Sequence, residues 1–353
     1  MGAYTTIDDP SAYFLTQLYT GTGSSHSVTN DANAGNFKPD WVWIKERSSS
    51  GGHKTYDSTR GVQEALQTQS SAGETTTAQG LTAFNTDGFT VGSDGGHNQS
   101  SATYVAWQWK AAGGTTASNS NGSITSTVQA NTTAGFSIVT YTGDGATSAT
   151  VGHGLGAVPK MIISKDRDGT SNVPHWRIYH EGIGNTKYLQ LNGTGVATTF
   201  DDWGNTTPTS TVYTIGGSGG YRPTNTSSKN YVAYVFAEKQ GYSKFGSYIG
   251  NENANGTFVY TGFKPALIII KNTGVVSNWR ILDSKRLGYN KDNNRMSPNT
   301  STSEETDDQL DILSNGFKMI TTDSEINSGY THIYMAFAEN PFVTSTGIPT
   351  TAR

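Results

Sequence analysis

The side chains in this sequence that could do chemistry are few and scattered. Its seven histidines are His26, His53, His97, His153, His175, His180 and His332. None belongs to a His-Glu-x-x-His motif or sits at metal-ligand spacing, so each is expected to be structural or solvated, and no metal site is expected. His53 and Asp57 are four apart, which on a strand puts them on one face but roughly 13 Å from each other, too far to pair directly. Glu304, Glu305, Asp307, Asp308 and Asp311 bring enough oxygens together for a calcium ion but lack the ligand order of an EF-hand. They read as a solvated loop before the turn at Asn315-Gly316, and Asp166-Arg167-Asp168-Gly169 reads as a polar hairpin tip. A glycosidase needs two positioned carboxylates, and no pair is singled out here. Where the repeats described below carry an equivalent acid, as at Asp57 and Asp283, the second copy has His180, so a turn or cap is the expected role. Cysteine is absent, which removes disulfides, thiolate metal sites and cysteine nucleophiles. No nucleophile elbow, phosphate loop or dinucleotide fingerprint occurs. The expectation is a protein with no catalytic residues and no cofactor.

The aromatic residues are the remaining candidates. Trp41 and Trp43 share one strand face, as do Trp107 and Trp109. Four indoles on two strands could form a platform on which sugar rings stack, a candidate glycan-binding site. They could equally pack a core, and the matching positions of the other repeats hold Met, Ile, Leu, Tyr and Phe, which favours the core.

Composition says what must position these residues. The chain has 353 residues, 42 of them Gly, and is rich in Thr; only 15% are charged, and Lys and Arg (24) nearly balance Asp and Glu (28). Thr and aromatic residues suit pleated, half-buried surfaces and Gly supplies turns, so this is an all-β composition. Balanced charge gives no reason to expect nucleic acid as a partner. The longest aliphatic run, Ala266 to Ile270, is far short of the roughly 20 residues of a membrane-spanning helix, so no membrane partner is expected.

Four landmarks recur three times in the same order. A tyrosine leads into a glycine turn at Tyr19-Thr-Gly21, Tyr141-Thr-Gly143 and Tyr248-Ile-Gly250. A proline then precedes a lysine by six in Phe37-Lys-Pro-Asp-Trp-Val-Trp-Ile-Lys45, Ala157-Val-Pro-Lys-Met-Ile-Ile-Ser-Lys165 and Phe263-Lys-Pro-Ala-Leu-Ile-Ile-Ile-Lys271. Each apolar stretch reads as a strand buried on both faces, with the lysine marking its exit to water. Next come His53-Lys-Thr-Tyr-Asp-Ser58, His175-Trp-Arg-Ile-Tyr-His180 and Asn278-Trp-Arg-Ile-Leu-Asp283. Each copy closes on an aromatic strand: Tyr104-Val-Ala-Trp-Gln-Trp109, Tyr231-Val-Ala-Tyr-Val-Phe236 and Tyr334-Met-Ala-Phe337. The register of the last is ambiguous by two residues, because Phe236-Ala-Glu238 also matches Phe337-Ala-Glu339; either choice keeps the same faces inward.

Asp87-Gly88 and Asn315-Gly316 read as tight hairpin turns. Helical pattern is confined to Ala12–Leu18 and Glu64–Gln69. The expected architecture is three tandem antiparallel β-sandwich units, of jelly-roll or immunoglobulin type, at 18–110, 134–243 and 244–343. An N-terminal attachment arm (1–17) precedes them and a tail (344–353) follows. Residues 111–133, uncharged and poor in apolar residues, read as a flexible linker, whereas the second and third units join without a gap and are expected to pack together.

Phe37–Lys45, Tyr56-Asp-Ser-Thr-Arg-Gly61, Phe84-Asn-Thr-Asp-Gly-Phe89 and Tyr104–Lys110 resemble a repeat found in virion proteins of marine tailed phages, notably cyanophages, that are described as tail-fibre-like. Gly241–Gly250, Tyr334–Phe342 and the ending Gly347–Arg353 are similar to the same group, so the resemblance covers residues 14–353. It implies a structural or adhesive module on the virion exterior, part of a tail fibre or appendage. The implied partners are other virion proteins, copies of the chain itself (a homotrimer above all) and host-surface glycan. A capsid-decorating protein is the nearest alternative, and a glycan-cleaving enzyme on a lectin-like sandwich is the alternative of another class. The second copy departs from the pattern, with Ala157-Val-Pro for Phe-Lys-Pro and His180 for Asp.

Overall fold

A computed structural model describes residues 3–171, 173–286, 290, 291 and 293–350. The chain is all-β. Its sheets are antiparallel, and its only α-helices among the described residues are single turns at Gly95–Asn98 and Ser324–Asn327. The stretches with helical pattern are strands instead: Phe14–Thr20 and the short Glu64–Ala65. Their Phe, Leu and Tyr alternate into a sheet, and tertiary pairing overrides a weak local preference.

Three four-stranded arrangements share one strand order. In the first sheet an opening strand (Phe14–Thr20) lies beside the closing strand (Thr103–Trp109), then the proline strand (Trp41–Glu46), then the acid strand (Lys54–Asp57). The third sheet repeats this order with Ser243–Ile249, Thr331–Pro341, Phe263–Asn272 and Arg280–Asp283. In the second, Phe136–Thr142, Asn230–Phe236, Met161–Asp166 and Arg177–His180 form the same set inside an eight-stranded sheet. Strand pairing fixes the ambiguous register: Trp41, Met161 and Leu267 sit opposite Trp109, Phe236 and Phe337, so Phe236 matches Phe337. Pro39 and Pro159 precede their strands, and Pro265 falls where the ladder shifts register, both places where a missing N–H costs no ladder bond.

The proline strands are buried on both faces, and the faces have different partners. Alternate residues such as Val42 and Ile44 meet a small sheet of His26–Val28, Leu81–Asn85 and Gly88–Val91, with Phe89 and Val91 at the contact. Comparable small sheets and clusters cover the second and third sheets. The opposite faces of all three large sheets meet in one shared core, where Trp41, Trp109, Phe136, Phe236 and Phe337 form one connected set of ring contacts.

Several expectations need correction. Residues 111–133 are no flexible linker: Ala117–Asn119 and Ser126–Asn131 extend the second sheet, Val128 pairing with Val139. Ile124, Ser126 and Val128 turn inward while Thr125 and Thr127 face water, an alternation that an uncharged, Thr-rich composition conceals. Residues 1–17 are no free arm either. Phe14 starts the first sheet, Ile7 joins the shared core, and Thr5 and Tyr4 donate to the carbonyls of Gln240 and Gly262, both at 2.8 Å. Met1, Gly2 and the last residues of the tail, 351–353, lie outside the described residues; Ser345 within the tail bonds Asp8. The glycines of the two hairpins begin their second strands rather than occupying turn centres. A Cβ on Gly88 or Gly316 would lie 2.0 Å from the carbonyl oxygen of Val28 or Val259, so close approach of the third strand requires glycine there.

Candidate functional site

The chemistry-bearing side chains converge on the three seams where the large sheets meet, and the contacts run in one cyclic sense. Trp176 of the second sheet donates its indole N–H to the carbonyl of Gln67, beside the first sheet, at 2.9 Å. Trp279 of the third donates to Gln190 of the second at 2.9 Å. In the first sheet His53 occupies the same register position, and its Nε2 meets the carbonyl of Ser297 in the third at 3.1 Å. Trp43 donates to His53 Nδ1 at 3.0 Å, so Nε2 carries the proton and the ring is neutral. Burial holds its pKa well below the usual range. Second leans on first, third on second, first on third.

A second set of contacts follows the same cycle. Asp57 accepts the backbone N–H groups of Thr59 and Arg60 on one oxygen, and on the other the Arg60 guanidinium and the Tyr234 hydroxyl of the second sheet (2.8 Å). Asp283 accepts Lys285 N and Arg286 N, the Arg286 guanidinium at 2.6 Å and the Trp107 indole of the first sheet at 2.9 Å. Both are turn caps that also bolt a seam. Each arginine passes on to a glutamate: Arg60 to Glu74, which holds Arg167 at 2.7 Å, and Arg286 to Glu304 at 3.3 Å, which holds Arg47 at 2.8 Å. Burial would raise the Glu74 carboxyl, but its hydrogen bonds from Arg167 and Arg60 hold it below the ordinary value.

The seam between the third and second sheets departs at every one of these positions. His180 replaces the aspartate, Ile183 the arginine, Ala197 the glutamate and Thr273 the outer arginine, while Met335 stands where Tyr234 and Trp107 donate. A methionine has no hydrogen to give, so a carboxylate at 180 would be buried without a cross-seam donor or an arginine. His180 instead accepts Gly182 N at Nδ1 and donates from Nε2 to the carbonyl of Tyr334 at 3.1 Å. Burial pushes its pKa down to about 4. Ile183 and Ala197 pack on the shared core. The backbone contact survives all of this: Glu74 N to Arg167 O (2.6 Å), Glu304 N to Arg47 O (3.0 Å) and Ala197 N to Thr273 O (3.0 Å) are equivalent.

The recurring lysines do not exit to water. Lys45, Lys165 and Lys271 are fully buried, each ammonium donating to the carbonyl of the next residue, Glu46, Asp166 or Asn272. Burial drops each to about 8.

Trp41, Trp43, Trp107 and Trp109 all lie in the shared core, none more than 1% exposed, so they present no open face to a sugar. His97 is clamped between Asp94 and the Tyr56 hydroxyl, both at 2.6 Å, and His153 between Leu155 N and the Thr209 carbonyl. His332 stacks on Tyr248, His26 meets Tyr19 edge-on, and His175 bonds Asn192. The acidic stretch is not a free loop: besides Glu304, both Glu305 and Asp307 pair with Arg295. Among the described residues no group of three or more His, Asp or Glu is arranged to hold a metal ion. Asp166 accepts Asp168 N and Ser171 N, making its turn the hairpin tip expected.

Sequence reasoning missed three buried asparagines, Asn98, Asn225 and Asn327, whose side chains accept the backbone N–H of Thr22, Asp144 and Asn251 just after each glycine turn. They follow Tyr19, Tyr141 and Tyr248 by 79, 84 and 79 residues, a similar placement that was a readable signal. The chain belongs to a family described as a domain of unknown function, DUF7483, whose model matches residues 9–341. No curated protein and no solved structure matches it.

Proposed function

We propose that this member of the family is a non-catalytic structural protein of a tailed-phage virion, an exterior component of a tail fibre or appendage built from three sandwich units in one chain. One observation carries the reading: the recurring indoles, aspartates and histidines are spent on closing three seams, which is what a rigid body needs and what a catalytic groove does not. The resemblance of the repeats to tail-fibre-like virion proteins supports the particle setting. In this reading the three copies supply from one chain the threefold body that a homotrimer would build from three, and the partners are neighbouring virion proteins and host-surface glycan. Near-zero net charge fits a surface exposed to solvent rather than to nucleic acid.

The cyclic seams also favour a second reading, capsid decoration, because a body of threefold form matches a local threefold position of a capsid lattice. A density map of the intact particle separates the two. Three-lobed density of this size on the tail supports the first, the same density on the capsid surface supports the second, and absence of the protein from purified particles overturns both.

A further inference from the structure

The second unit differs from its neighbours at one further place, and the difference opens a groove. At the register position of Arg177 the first sheet has Lys54 and the third Arg280. In those units a short helix supplies the counter-charge: Asp94 caps the helix beside Lys54, and Glu325 pairs with Arg280. Counting back four from the buried asparagines, the helix-capping Asp94 and Asp323 correspond to Tyr221, and Glu325 corresponds to Pro223. No helix forms in the second unit there. A groove of about 200 Å³ stands in its place, lined by Val173, Arg177, Tyr188, Phe200, Tyr221 and Pro223.

The polar atoms at this groove are under-used. Arg177 is 3% exposed, yet its Nε and Nη1 have no hydrogen-bond partner among the described residues. Its guanidinium lies 4.0 Å over the Tyr188 ring and 3.4 Å from an oxygen of fully buried Asp202, whose two carboxylate oxygens likewise lack hydrogen bonds. Buried donors and acceptors are satisfied nearly everywhere in folded proteins, so a cluster of orphans beside an open groove points to a ligand that satisfies them. Of this pair only Arg177 lines the groove, so the ligand must accept from a guanidinium whose charge Asp202 already offsets. Charge on these segments balances, Asp201 and Asp202 against Arg177 and Arg222, which gives a net anion or cation no advantage. Tyr221, 53% exposed, and Phe200 offer ring surface for C–H contacts. The volume suits a single small ring.

We infer that this groove binds a neutral pyranose sugar, whose hydroxyls engage Arg177 while its C–H face lies on Tyr221. The inference comes from the groove alone and does not require the particle setting, so its failure would leave the proposed function standing.

Saturation-transfer NMR on the full chain tests it, with the methyl pyranosides of glucose, galactose and mannose as probes and methyl glucuronide as the charged comparison. Transfer to the ring C–H protons of at least one neutral glycoside is expected. Tyr221→Ala, an exposed substitution that leaves the melting temperature unchanged, should weaken that glycoside about fivefold, the scale of one aromatic contact. No transfer from any of the three neutral glycosides overturns the site, as does binding that Tyr221→Ala leaves unaltered. Preference for the glucuronide over the glucoside overturns the neutral-sugar assignment in favour of a carboxylate site.

Discussion

Trp107 of the first sheet donates its indole N–H across a seam to Asp283 of the third, 2.9 Å away and 176 residues later in the chain. The same carboxylate receives the guanidinium of Arg286, and neither side chain of that pair is exposed. Asp283→Ala therefore strands a buried guanidinium and should cost about 3–5 kcal/mol. Trp107→Phe removes the donor and shrinks a buried ring, and should cost about 1–3 kcal/mol. Urea unfolding of the two variants checks both values; a cost under half a kilocalorie for Asp283→Ala would mean that the seam is not closed in solution.

The uncharged seam supplies a test by transplantation. His180→Asp alone puts a carboxylate where Met335 cannot donate and Ile183 cannot pair, and should destabilise by about 3 kcal/mol. Adding Ile183→Arg, Ala197→Glu, Thr273→Arg and Met335→Tyr rebuilds the set found at the other two seams and should recover at least half of that loss. Residues in one network are coupled, so the combined variant must be more stable than the sum of the single changes predicts. Additive losses would show that the three seams are not equivalent.

The three buried lysines give the stability a definite pH dependence. Each has a folded pKa of about 8 against an ordinary 10.5, so between these values the unfolded chain binds more protons than the folded one. Stability should rise as pH climbs from about 8 towards 10. Above that the trend reverses, because burial raises tyrosines such as Tyr141 and Tyr242 well above 10 and the unfolded chain ionises them first. On the acid side His180 and His332, lowered to about 4 by burial, withdraw stability as pH falls from 6.5 towards 4. Melting temperatures across this range check the shape, and Lys165→Met should flatten the alkaline rise.

The repeats were legible because strands buried on both faces leave short apolar runs, and because proline, lysine, tyrosine and glycine marked them in a fixed order. The all-β class followed from the same residues. The seams were not legible, for a physical reason. A cross-seam bond such as Tyr234 to Asp57 joins positions that no local period connects, and the partner changes from Tyr to Trp to Met between copies. Lysine looked like an exit to water because an unpaired ammonium is costly to bury; the backbone carbonyls that receive it leave no trace in side-chain pattern. Residues 111–133 looked like a linker because two short strands rich in Thr and Ser, the first of them at the sheet edge, bury too little to show.

The central claim is that three sheets share one core, so that no unit stands alone. All seven tryptophans are buried, and six of them report on that core: Trp41, Trp43, Trp107, Trp109, Trp176 and Trp279. Equilibrium unfolding of the full chain in urea, followed by tryptophan fluorescence and by far-ultraviolet circular dichroism, tests it directly. A single transition is expected, with the same midpoint for both signals. Two or more resolved transitions, with the indole signal of the first sheet lost separately from the rest, would contradict a shared core and return the chain to three independent units.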